Sequence, residues 1–167
     1  MATDNIWDNS DADNDGNNAN NWSLGHVPTT NEVMVFDSAT TSANCTFSGN
    51  ITADGDGGMR FDNTYTGTVD ANGNDITLGT SGLDCTNGGS ATIDMGEGTW
   101  TCAGDWDSDD TTLNDEASTL KLTGNGKNLI VGPTYLWIVE IHGSYTISGS
   151  DRCYFDQSLT IKNGGTL

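Results

Sequence analysis

At 167 residues the chain is the size of one ordinary domain and long enough to bury a continuous core. Its formal charge is −19, and its five basic residues, Arg60, Lys121, Lys127, Arg152 and Lys162, are scattered singly, which argues against a nucleic-acid partner and an anionic membrane surface. Gly contributes 22 residues and Pro two, Thr, Ser, Asn and Asp dominate, and no apolar run could span a bilayer; this is the chemistry of short strands and tight polar turns.

The first 25 residues lack the basic start and apolar stretch of a signal peptide. The expectation is a chain whose leader was removed, or one assembled inside a cell without ordinary secretion. Within this region "SDADNDGNN" sets Asp11, Asp13 and Asp15 at alternate positions directly before Gly16. That spacing reproduces the first half of a calcium loop, in which carboxylates converge on an ion and glycine permits the bend. The twelfth position, where an EF-hand needs a bidentate Glu, is Trp22, so an EF-hand is excluded. A half-loop completed by Asn17, a backbone carbonyl or water makes Ca2+ the candidate cofactor, with Asp11, Asp13, Asp15 and Asn17 as ligands. A solvated acidic loop is the alternative, because 20 aspartates make such spacings common.

From Cys45 onward, short segments with two apolar residues two apart and then a turn residue recur: "CTFSG", "VDANG", "ATIDMG" with a one-residue slip, "LKLTG", "VEIHG" and "LTIKN". The turn residues fall at 49, 73, 96, 124, 143 and 163, in steps of 24, 23, 28, 19 and 20. Further short strands lie between them: "NDITLG", "GTWTCAG", "NLIVG", "SYTISG", "MRF", "LDC", "YLWI" and "CYF". Each unit holds about three strands, the signature of a β-solenoid with rungs stacked about 4.8 Å apart. About six such rungs are expected. A β-sandwich is the alternative, which the uneven steps keep open; against it stands a marker in the same local context each time.

The cysteines follow the same alternation. Cys45 pairs with Phe47, Cys85 with Leu83, Cys102 with Trp100 and Cys153 with Phe155, so all four are expected to face inward as structural core residues. No C-x-x-C spacing supports zinc; buried thiols and disulfides between neighbouring rungs are the readings left open.

The acidic clusters "DGDGG" from Asp54 and "DWDSDD" from Asp105 read as solvated corners. A carboxylate pair such as Asp105 and Asp107 is the sole hint of a polysaccharide-cleaving enzyme, and no motif supports catalysis, so the expectation is no enzyme. Neither His26 nor His142 has a nucleophile near it in a recognisable motif. Trp106, Tyr135, Trp137 and Tyr145 are candidates for an outward aromatic row that could stack on sugar rings.

The frame of Trp7, "NWSLGHVPT" (21–29) and "VMVFD" (33–37) resembles the lead-in segment before repetitive β-helical regions of bacterial surface proteins and phage fibre or adhesin-like proteins. "STLKLTGNGKNLIVG" and "LTIKNGGTL" resemble their rungs. The resemblance implies an all-β, right-handed parallel β-helix with a structural, adhesive or glycan-contacting role, and no catalytic residues carry over. Residues 1–37 would form an N-terminal cap and lead-in strand, with Trp7, Trp22 and Val27 as the lid, and 38–167 the β-helix repeats. The absence of a leader tilts the expectation to a virion protein, a phage fibre or capsid decoration, located on a virion or an extracellular surface. Its partners would be other virion or surface proteins, or further copies of itself at an uncapped C-terminal end. A secreted glycan-binding module and a polysaccharide-degrading enzyme are the rivals.

Overall fold

A computed structural model describes residues 1–132, 135–148, 153–162 and 164–167. Among these, the backbone forms seventeen strands and a single short 3-10 turn at Ala19–Asn21. After β1 (Thr3–Ile6), the chain winds through three sheets in succession. It lays down β2 (Glu32–Asp37), β3 (Cys45–Thr46) and β4 (Ile51–Ala53), then β5 (Gly58–Asp62), β6 (Thr68–Asp70) and β7 (Ile76–Leu78). The next turns are β8 (Gly82–Asp84), β9 (Thr92–Asp94) and β10 (Thr99–Cys102), then β11 (Trp106–Asp107), β12 (Thr112–Asn114) and β13 (Thr119–Leu122). Narrower winding closes the chain, with β14 (Lys127–Ile130) and β15 (Tyr135–Ile141), then β16 (Tyr145–Ile147) and β17 (Tyr154–Ile161).

The first sheet runs β1-β2-β5-β8-β11-β14-β16, the second β3-β6-β9-β12, and the third β4-β7-β10-β13-β15-β17. The ladders between named strands are all parallel, so the protein is an all-β parallel β-solenoid of about five turns and not a sandwich, whose sheets are antiparallel.

Alternation within each strand sends every second side chain inward, and the parallel register stacks like positions into columns. In the first sheet Met34, Met59, Leu83, Trp106 and Leu129 form one such column. In the third, Ile51, Ile76, Trp100, Leu120 and Val139 form another. All ten are buried in one continuous core.

The turn markers divide between two corners, contrary to the single context expected. Gly49, Gly73 and Gly96 lie between second-sheet and third-sheet strands, whereas Gly124 and Gly143 lie between third-sheet and first-sheet strands. The 28-residue step is therefore the passage from one corner to the next, not a longer turn. Asn163 and the Gly149 that ends "SYTISG" lie outside the described residues. Two pairs of expected strands are single long ones: "YLWI" joins "VEI" as β15, and "YF" joins "LTI" as β17. The register step falls from 25 residues between β2 and β5 to 18 between β14 and β16 as the second-sheet strand is lost.

The N-terminal segment lies against the first turn. Trp7 and Trp22 are buried with their rings edge to face at 5.3 Å, and both contact Phe36 of β2. Their indole N–H groups donate to Ala43 O (3.1 Å) and Gly16 O (2.9 Å), satisfying the polar edge of each buried ring. Val27 packs partly buried against the same core. Strand β1 has no apolar alternation of its own and is held by its ladder to β2 and by Arg60. From β5 the guanidinium reaches past β2 to Asp4 of β1 at 2.9 Å while also binding Asp62 at 2.9 Å. Replacing Arg60 with Met is expected to cost about 1 kcal/mol. Amide hydrogen exchange should quicken in β1 while β7 and β10 stay protected; uniform quickening would refute a local clamp.

Candidate functional site

The aspartate loop is built around side-chain amides. Asn18 Nδ2 donates to Asp11 Oδ2 (2.9 Å) and to Asp13 Oδ2 (2.8 Å), Asn20 Nδ2 to Asp11 Oδ2 (2.9 Å), and Asn21 Nδ2 to Asp13 Oδ1 (2.5 Å). Asp15 Oδ1 accepts from Asn17 N and Ser48 Oγ, and Asn17 Oδ1 accepts from Gly49 N. Hydrogen bonds from the Asp15 amide, Asn18 and Asn21 hold the Asp13 carboxyl below its ordinary range. Among the described residues, no group of three or more His, Cys, Asp or Glu is arranged to hold an ion.

Gly16 sits in a turn, as its spacing suggested, with Asn18 N donating to Asp15 O at 3.1 Å. Its φ is not left-handed; that conformation falls on Asn9, Ala12 and Asn14 instead. A Cβ at Gly16 would stand 2.5 Å from the Phe47 ring and 2.8 Å from Cys45 Sγ, so glycine is there to admit the core. Asp15 forms a parallel bridge with Thr46, and Gly16 N donates to Thr46 O at 2.9 Å, which lays this loop along the free edge of β3.

The expected aromatic row is broken by burial. Trp106 faces inward from β11, its ring edge to face with Trp100 at 5.9 Å. Tyr145 is also buried, and its hydroxyl donates to the Cys102 and Gly104 carbonyls (3.1 and 2.9 Å). Neither offers a face to a sugar. Trp137 is half-buried where the β15–β17 register shifts. Tyr135 is 54% exposed and pairs in register with Tyr154, 40% exposed, at a centroid distance of 5.1 Å. Residue numbers alone conceal that neighbourhood; register reveals it.

Cys45, Cys85 and Cys102 are buried, Cys153 is half-buried, and all four are free thiols. Burial pushes Cys102 and Cys153 up to about 11 and raises Cys45 and Cys85 as well, so each stays protonated at neutral pH and packs as a small hydrophobe.

"DWDSDD" is partly a strand. Trp106 and Asp107 form β11, with Asp107 outward in register with Asp84, and Asp105 Oδ1 accepts from the Asn128 amide at 2.6 Å. Burial raises the Asp107 carboxyl above its ordinary range. These groups line a shallow groove of about 240 Å³ with Thr86 and Asn128. "DGDGG" is the expected corner, where Asp56 binds the N-terminal ammonium at 3.0 Å. His142 and Lys162 each meet Glu140 at 3.0 Å, which lowers that carboxyl, while His26 lies 3.4 Å from Glu32.

A second groove, about 420 Å³, follows the corner after the second sheet and is lined by Asp70, Asp94, Glu97 and Glu116 among others. Asp70 and Asp94 are register partners, so equal charges sit on adjacent rungs. Asp94 foremost raises the Glu116 carboxyl. Glu116 thus binds its proton more tightly folded than unfolded, and stability increases as pH falls from 7 through that raised value. Thermal melts should show a higher midpoint near pH 5.5 than at pH 7, and Glu116→Gln should raise the midpoint at pH 7 while flattening the rise.

Comparison with family models, curated proteins and solved structures returns no match. Among the described residues, no helix is long and apolar enough to cross a membrane.

Proposed function

We propose that the chain is a structural module, a short rod carried by a larger assembly, with a phage-like virion as its setting and a fibre or capsid decoration as its place there. The continuous parallel stack of about five turns around one core supports this reading. In it, residues 1–37 act as a cap: Trp7 and Trp22 close the core, and the aspartate loop covers the edge of β3. Tyr135, Ile147 and Ile161 are exposed apolar side chains that would lie against neighbouring parts of that assembly. Antibody raised against the chain, used for immunogold labelling, should decorate virions or a cell surface; label confined to the cytosol would overturn the reading.

A glycan-binding surface module is the second reading, favoured by the exposed Tyr135–Tyr154 pair. It expects hits on a glycan array that Tyr154→Ala abolishes. A polysaccharide-degrading enzyme would instead depolymerise an acidic polysaccharide, with activity lost in Asp105→Asn or Asp107→Asn.

Calcium enters the first reading as an addition to the cap. To bind it, Asp11 and Asp13 would have to exchange the Asn18 amide for the ion, which would tie the same loop down more tightly. A calcium titration followed by melting temperature checks this: a rise that Asp13→Asn removes supports the ion, and no change leaves closure to the amides.

A further inference from the structure

We infer that the fold is built for a medium of high ionic strength, whose mobile cations offset rows of like charge that the winding stacks one turn above another. The inference goes beyond the structural reading above and assigns no fixed ion site.

Register creates the rows. Asp70 and Asp94 are parallel partners at the end of the second sheet, and Asp84 and Asp107 are partners on the outward face of the first. Adjacent strands lie about 4.8 Å apart, so each carboxylate has a like charge directly beside it. Glu97 and Glu116 join the first pair in one groove. The side chains register the crowding: Asp94 foremost raises the Glu116 carboxyl, and burial, with Asp84 among the acidic neighbours, raises that of Asp107.

Protonation is a poor remedy. Asp70 Oδ1 accepts from the Asn72 amide at 2.6 Å, Asp84 Oδ1 from the Thr86 amide at 3.1 Å and Asp107 Oδ1 from the Asp109 amide at 3.2 Å. Each carboxylate thus closes the corner that follows its strand, and a backbone N–H donor favours its charged form. The corner holds in place the charge that the neighbouring turn repels.

Elsewhere the fold supplies its own relief. Asp37 and Asp62 are also register partners, but Asp37 accepts from Asn63 Nδ2 at 2.7 Å and Asp62 binds Arg60 at 2.9 Å. One guanidinium cannot serve every row. Residues 1–116 hold 21 acidic residues and one basic, a net of −20, while residues 117–167 hold three acidic and four basic, a net of +1, together the −19 of the chain.

Screening lengths decide how much salt the rows require. The Debye length is about 10 Å at 0.1 M, twice the spacing of the turns, and about 3 Å at 1 M, shorter than that spacing. Dilute salt therefore leaves stacked carboxylates in each other's field, and concentrated salt removes most of it. The same screening weakens the ion pairs of Arg60 with Asp4 and of Lys162 with Glu140, so β1 and β17 gain least.

Thermal melts of the full chain at neutral pH, in sodium chloride from about 0.1 to 1 M, test the inference. The midpoint should rise by roughly 5 °C or more over that range. Combining Asp94→Asn with Asp107→Asn removes one charge from each row, and asparagine keeps an acceptor for the Asp109 amide. That variant should melt higher than the unaltered chain in dilute salt and show about half the rise or less. Asp37→Asn, in the relieved pair, should keep the full rise. Should the double variant fail to fold, Glu116→Gln, at an exposed position, reads the same slope. A flat or falling midpoint in the unaltered chain would overturn the inference. So would an equal rise in the neutralised variant, which would trace the effect to salt acting on apolar surface. Neither result touches the structural reading, which the immunogold experiment decides separately.

Discussion

Replacing Trp7 with alanine should cost about 3–5 kcal/mol, a large part of the stability of a chain of this size. The ring is buried, meets Trp22 at 5.3 Å and Phe36 at 6.4 Å, and donates to the Ala43 carbonyl. Removing it opens a void between the N-terminal segment and the first turn and leaves that carbonyl with the Tyr65 hydroxyl as its remaining donor. In a linear array each turn is supported by its neighbours, so loss should begin at this end. Urea unfolding should show a lower midpoint, and hydrogen exchange should show β1 and β2 opening before β13. Trp137→Ala, at a half-buried position, serves as the comparison. Equal effects of the two substitutions would mean that the N-terminal cluster has no special role.

Gly82→Ala should be nearly as damaging, roughly 2–5 kcal/mol. Gly82 opens β8 with φ +71°, a conformation costly for any side chain, and an added Cβ would lie 2.0 Å from Asp105 O on the next turn. Two penalties therefore fall on one atom. Gly73 has a similar φ of +75° with open space around the added Cβ, so Gly73→Ala carries the conformational cost alone, about 1–2 kcal/mol. Chemical denaturation of both variants separates the terms. A Gly82→Ala midpoint no lower than that of Gly73→Ala would show that neighbouring turns yield more easily than close stacking implies.

Strand chemistry was plain in the sequence because alternation records which side chains face in. "TWTC" and "TLKL" are β10 and β13, and the inward direction of Cys45, Cys85 and Cys102 followed from the same rule. The rule also applied to Trp106, flanked by Asp105 and Asp107: two outward charges require an inward ring between them. Reading that stretch as a corner obscured the alternation. Corners were harder, because Gly marks tight turns at two different places and a list of glycines carries no label for which. The acidic groove was hidden by distance along the chain, Asp70 and Asp94 meeting through register. At Gly16 the sequence showed one need and hid another: the chain turns there, and the Phe47 ring also takes the space where a Cβ would stand.

The ladders that join one turn to the next have a mechanical consequence. In a parallel sheet the interstrand hydrogen bonds lie across the strands, which in a solenoid means along the long axis. A force that draws the two ends apart therefore loads the turns in series. It strips them one at a time from the weaker end, and each release frees 18 to 25 residues. Thrust along the same axis presses the stacked side chains together, and a close-packed interior yields little. The rod is a strut more than a tether.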